Sequence, residues 1–175
     1  MTAIFASILL AAAAQTAPAD ARLTDLGDGF TRVETRAYTI EVPTGWTVGR
    51  ETSFGQRDIR PASADAGALG VMTAGPTRAS WDRLYETSLW FIRRETRGTP
   101  TPYEIGRTDQ GYEACSFSIL DERSRPVARY VLLRSPDERV LALSVKIPTA
   151  DREKPLQAAF DRMVRTARFA PTARR

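Results

Sequence analysis

The tripeptide Asp-Glu-Arg occurs twice, as Asp121-Glu122-Arg123 and as Asp137-Glu138-Arg139. Two carboxylates within about 10 Å of each other can hydrolyse a glycosidic bond, one as acid and the other as base or nucleophile. Both copies sit among turn-forming residues, and one apolar-rich segment, PVARYVLLR, runs between them. As a strand, those nine residues would span roughly 30 Å at about 3.4 Å each. The two acidic groups are therefore expected at opposite ends of a sheet, as hairpin turns. A carboxylate hydrolase would have to recruit other acids, for instance Glu51 or Asp58 with Glu104 or Asp109, and nothing in their spacing selects them.

Residue types exclude most other covalent chemistry. The chain has no histidine and one cysteine, Cys115. That removes Ser-His-Asp and Cys-His catalysis, zinc sites built on imidazole or several thiolates, and the usual near-neutral proton shuttle. The G-x-S-x-G, Walker and G-x-G-x-x-G patterns are absent. No catalytic, cofactor-binding or metal-ligating residue is assigned, and the chain is expected not to be an enzyme. Cys115 shares a strand face with Phe117 and Ile119, so it reads as a small buried hydrophobe, not a redox sensor.

One residue breaks its local pattern. In SWDRLYETSLWFIRRE, successive side chains turn by about 100° on a helix. Trp81, Leu84, Tyr85, Ser88, Leu89, Phe91 and Ile92 then form one broad apolar face. Trp90 points the opposite way, with Arg83, Glu86 and Arg94 around it. An outward tryptophan among arginines is typical of an interface anchor, and these four residues form the candidate partner surface. The bland alternative is a local cation–π pair with Arg94 or Arg83. Arg162, Arg165 and Arg168 make a second outward stripe that could meet an anionic surface or simply face solvent.

The elements carrying these residues follow from periodicity. YTIEVPTGW (38–46) alternates Tyr38, Ile40 and Val42 with polar residues, a half-buried strand closed by a Pro-Thr-Gly turn. Strands are predicted at WTVGRET, GQRDIRPA, ALGVMTAG, TPYEIGRT, YEACSFSIL, PVARYVLLR and RVLALSVKIP. Helices are predicted over SWDRLYETSLWFIRRE, with Ser80 or Thr77 as N-cap, and over about 155–168 with an apolar stripe at Leu156, Ala159, Phe160 and Met163. Short connections demand antiparallel pairing. The fold class is α+β: a meander-like antiparallel sheet of about six to eight strands against two amphipathic helices.

With these elements in place, YTIEVPTGW resembles the aromatic-x-apolar-x-x-Pro-x-x-Trp opening of PsbP-like proteins. VLALSVKIP, a short acidic turn and FDRMVRTARF resemble their close. The resemblance spans roughly residues 30–169 and implies an antiparallel sheet between helices. The superfamily includes extrinsic photosystem subunits, a Ran-binding nuclear import factor and exported bacterial proteins. No binding residue of those proteins matches a motif here, so the resemblance implies a non-enzymatic binding or scaffolding module and no site residue.

The first 14 residues read as a secretory signal, an apolar run from Ile4 to Ala14 with small residues before Gln15, too short to span a bilayer. Residues 15–28 read as a flexible lead-in, 29–170 as one PsbP-like domain and 171–175 as a frayed tail. The protein is expected to be exported, periplasmic or secreted, with no stable membrane anchor after cleavage. The net charge of +4 is interspersed, which argues against nucleic-acid binding. The expected function is an accessory protein contacting another protein or an envelope component. The alternatives are a small-ligand carrier, with a pocket between the sheet and the first helix lined by Tyr38, Trp46, Trp81 and Tyr85, and the carboxylate hydrolase of envelope polymers.

Overall fold

The computed structural model describes residues 18–61, 67–94 and 96–171, except for the side chain of Asp151. The leader expected at 1–14 and most of the tail expected at 171–175 lie outside the described residues. In chain order the elements are β1 (Arg22–Asp25), β2 (Phe30–Glu34), β3 (Tyr38–Pro43), β4 (Thr47–Val48), β5 (Gln56–Arg60) and β6 (Ala68–Ala74). Then follow α1 (Trp81–Ile92), β7 (Thr99–Pro100), β8 (Glu104–Arg107), β9 (Glu113–Leu120), β10 (Pro126–Arg134), β11 (Val140–Lys146), α2 (Glu153–Thr166) and β12 (Arg168–Phe169).

These elements build an α+β sandwich with two antiparallel sheets. The larger has eight strands in the order β4-β5-β6-β11-β10-β9-β7, with β8 also paired to β9. The smaller has four, in the order β1-β2-β3-β12. The sequence pattern had pointed to a single meander; the second sheet instead takes its edge strand β1 from the segment expected to be a flexible lead-in and joins it to β2, β3 and β12. Arg22–Asp25 pairs with Thr31–Glu34. Leu23 is the only large apolar residue in that strand, so the segment is too short and too polar to announce itself; partnership with β2 makes it a strand. The predicted strand TPYEIGRT (101–108) is shortened to β8 (Glu104–Arg107), and β7 (Thr99–Pro100) precedes it. Pro102 lies between the two, having no N–H to donate, and the Thr101 hydroxyl accepts from the Ser118 N–H nearby.

Cores lie on both faces of the large sheet. On one face, α2 packs on β3 and β11 and buries Leu156, Phe160 and Met163 among residues of both sheets. On the other, α1 buries Leu89 and Ile92 against Cys115, Phe117, Ile119 and Leu132. Consecutive residues of a strand point to opposite sides, so β9 serves the α1 side with Cys115 and Phe117 and the α2 side with Ser116 and Ser118.

The largest fully buried side chain is a cation, Arg57. It lies two residues from Ile59 on the inward side of β5 and is 0% exposed. A buried charge is stable only when paired and hydrogen-bonded. Its guanidinium donates to Tyr38 Oη at 3.1 Å and to Asp20 Oδ2 at 2.8 Å. It also donates to the Gly49 carbonyl and lies 3.7 Å from Glu51. One side chain thereby ties β5 to the small sheet, to the segment before β1 and to the chain between β4 and β5. Burial, tempered by the Arg57 charge, pushes the Tyr38 hydroxyl up to about 12.

The Arg57 hydrogen bond also holds the Asp20 carboxyl below its ordinary range. Asp20 therefore contributes stability above about pH 4, where the unfolded carboxyl is ionised, and loses it as pH falls through the lower folded value. Because Asp20 is 44% exposed, Asp20→Ala is expected to cost about 1–2 kcal/mol at neutral pH. Urea unfolding at pH 7 and near pH 3 checks this. The variant should be less stable at neutral pH and lose less on acidification than the parent; equal losses would refute the tie.

Candidate functional site

The outer face of α1 is built by the way its inner face is fastened. Ser80 caps the helix, its hydroxyl accepting from the Arg83 N–H at 3.3 Å, and Asp82 sits at the positive end of the dipole. Tyr85 donates to the Thr101 carbonyl at 2.7 Å and meets Phe117 edge-on at 5.0 Å. Tyr103 donates to Asp82 at 2.7 Å, and the Arg134 guanidinium lies 4.1 Å over the Trp81 ring. These contacts fix the rotation of the helix, so whatever lies opposite Trp81 and Ile92 faces outward.

Trp90 lies there and is 53% exposed. The Arg94 guanidinium stacks 3.7 Å over its ring, and Phe91 meets it edge-on at 4.8 Å. Of the four expected surface residues, the structure joins Trp90 and Arg94 directly. Arg83 and Glu86 are exposed on the same helix and make no ion pair among the described residues. Phe91 corrects the sequence reading, which had counted it in the apolar face; it is also 53% exposed. It sits about 100° from the centre of that face, in the last turn of the helix. Its position at the margin of the apolar face was the available signal.

The other expected clusters disperse. Arg162 is no part of a free stripe: it bonds Glu41 at 2.7 Å and Asp28 at 2.8 Å, and lies 4.5 Å over the Phe30 ring. Arg168 turns back onto the carbonyls of Arg165 and Ala167. Asp121 and Asp137 close the turns at opposite ends of β10, held below the ordinary carboxylate range by hydrogen bonds, to Arg125 and its backbone in one case and to Ser135 and Arg139 in the other. Glu51 and Asp58 lie at the β4–β5 edge of the large sheet, and Glu104 and Asp109 at the β8 edge. Five strand spacings from β5 to β8 amount to roughly 24 Å, too far for joint work on one bond.

The aromatic pocket expected beneath α1 is not formed either. Tyr38 and Trp46 pack in the core on the α2 side, while Trp81 and Tyr85 pack beneath α1 on the opposite face. A concavity lies instead between α2 and the sheet. It is a groove of about 840 Å³, with Ser116, Ser118 and Arg129 on its floor and Gln157, Asp161 and Arg165 on its wall. Small serines on β9, beyond the strands that α2 covers, leave this space open. Arg57, central to the fold, escaped the sequence reading as well; its signal was an arginine in phase with Ile59 on a strand.

A large antiparallel sheet flanked by one amphipathic helix on each face, with the small sheet beside α2, is a PsbP-like sandwich. The same fold is seen in the solution structure of cyanobacterial PsbP (CyanoP) from Synechocystis sp. PCC 6803. That structure matches with a TM-score of 0.55 and 13% identity, over 88% of this chain and 95% of its own. No protein-family model matches the sequence, and no curated protein matches it.

Two measurements check this surface. Trp90→Ala is expected to change unfolding free energy by less than about 1 kcal/mol. Leu89→Ala, one residue away but 3% exposed, is expected to cost about 2–4 kcal/mol. Comparable costs would mean Trp90 is packed. Burial pushes the Cys115 thiol up to about 11, so a thiol reagent near pH 8 should leave it unmodified in the native protein and modify it after unfolding.

Proposed function

We propose that this chain is a non-enzymatic accessory protein, exported to the periplasm or secreted, that contacts another protein or an envelope component through the outer face of α1. The carrying observation is the uncovered pair Trp90 and Phe91, each 53% exposed at the end of a helix whose opposite side is fully engaged. Arg94 stacks on the indole, and Arg83 and Glu86 border it. Monomeric proteins leave few large aromatics uncovered side by side, and such clusters with arginine mark contact surfaces. The PsbP-like fold supports the same reading, as do the missing histidine and the dispersal of the acids. Among the described residues no group of three or more His, Cys, Asp or Glu could hold a metal ion, and no helix is long and apolar enough to cross a membrane.

Photo-crosslinking tests the surface. A probe at Thr87, one turn from Trp90, is expected to give a discrete adduct in intact cells. Trp90→Ala with Arg94→Ala should weaken that adduct at least about tenfold, as loss of an anchoring aromatic does. A probe at the exposed Ala158 on α2 is the control. Equal labelling from the two positions, or an adduct indifferent to the double substitution, would place the contact elsewhere.

A further inference from the structure

We propose that the end of the molecule carrying Trp90 and Phe91 rests on an anionic lipid surface, with the aromatic pair entering the headgroup layer and arginines from two elements facing the lipid charge. This deepens the accessory-protein reading and rests on it, naming the class of envelope component.

The topology makes one basic end out of two distant stretches of sequence. After α1 the chain turns at Gly98, where a Cβ would meet the Leu120 carbonyl at 2.5 Å, and Thr99 then pairs with Leu120. The last turn of α1 therefore lies at the same end of the sheet as the β9–β10 turn, residues 121–125. That end carries Arg93, Arg94 and Arg97 after the helix and Arg123 and Arg125 in the turn. Arg125 is neutralised by Asp121 at 2.7 Å. Arg94 stacks on Trp90, and Arg93, Arg97 and Arg123 have no ion pair among the described residues. The exposed Glu122 and, one turn before Trp90, Glu86 stand against them; Glu95 lies outside the described residues.

Lipid suits this end better than a protein partner. Trp90 and Phe91 line neither the α2 groove nor the concavity beside β4 and β5, and each is 53% exposed, so the pair suits a surface that yields to it. Tryptophan is at home at the membrane interface, where an apolar ring and a polar N–H are both accommodated. Basic side chains near an anionic leaflet each add to binding, and the attraction is screened by salt.

Vesicle co-sedimentation of the full chain tests the proposal, because every variant shares the same leader and only differences between variants count. Vesicles with roughly one third phosphatidylglycerol are compared with neutral phosphatidylcholine. The anionic vesicles should bind at least about tenfold more tightly, with the difference shrinking as salt is raised. Trp90→Ala with Phe91→Ala should weaken binding about tenfold or more, and Arg97→Ala and Arg123→Ala about fivefold each. Brominated acyl chains should quench fluorescence that Trp90→Phe removes. Two controls should bind like the parent: Phe54→Ala, an exposed ring whose neighbour Gly55 abuts Thr73 near the other end of β6, and Arg22→Ala with Arg50→Ala, which removes equal charge elsewhere. Equal binding to neutral vesicles, equal loss in the controls, or no binding at all overturns the proposal. A protein adduct from Thr87 in that last case would leave the accessory-protein reading standing and sink only the lipid.

Discussion

A cation with no exposure to water is the constraint around which the rest is arranged. Arg57 sits on the inward side of β5 among apolar side chains, and an unpaired charge there would cost several kcal/mol. The fold answers with four partners drawn from separate stretches: Tyr38 from β3, Asp20 from before β1, and Gly49 and Glu51 from the chain after β4. Satisfying one guanidinium thus requires the small sheet to lie over the large one and the N-terminal segment to close against them. YTIEVPTGW has a second duty for the same reason: its tyrosine hydroxyl is part of that satisfaction as well as part of the core.

The second constraint is that the large sheet is apolar on both faces. Each helix covers part of one face, α1 over β9 and β10, α2 with the small sheet over β11 and its neighbours. The uncovered part beside α2 is tolerated because Ser116, Ser118 and Arg129 make it polar, and it becomes a groove. α1 has only one layer to serve, so its outer side is free to carry residues the core does not need. Trp90 and Phe91 are there without any packing reason, which is why they bear the functional argument while Trp46 and Trp81, both partly packed, do not.

Long periodic segments were legible in the sequence. Leu141, Leu143 and Val145 on β11, Cys115, Phe117 and Ile119 on β9, and Leu156, Phe160 and Met163 on α2 are buried as their spacing predicts. β1 was not legible: a four-residue strand with one apolar side chain is defined by its neighbour. The Arg162 cluster was not legible either. Its partners Glu41 and Asp28 lie more than a hundred residues away, and a helical wheel shows direction without showing what waits there. For the candidate surface, the outward direction of Trp90 was readable from phase, whereas the stacked Arg94 and the uncovered Phe91 depended on side-chain packing that phase does not show.

By itself the sequence determined the class of the fold, the strands and helices with strong alternation or a clear apolar stripe, and the residue types that leave histidine- and thiolate-based chemistry without its parts. These are local properties, set by side-chain period and by which atoms the chain contains. Tertiary structure alone decided that the N-terminal segment becomes a strand, that an arginine occupies the core, and that arginines from the end of α1 and from the β9–β10 turn share one end of the molecule. Each of those outcomes depends on register and on long-range burial, which join residues that no sequence window contains together.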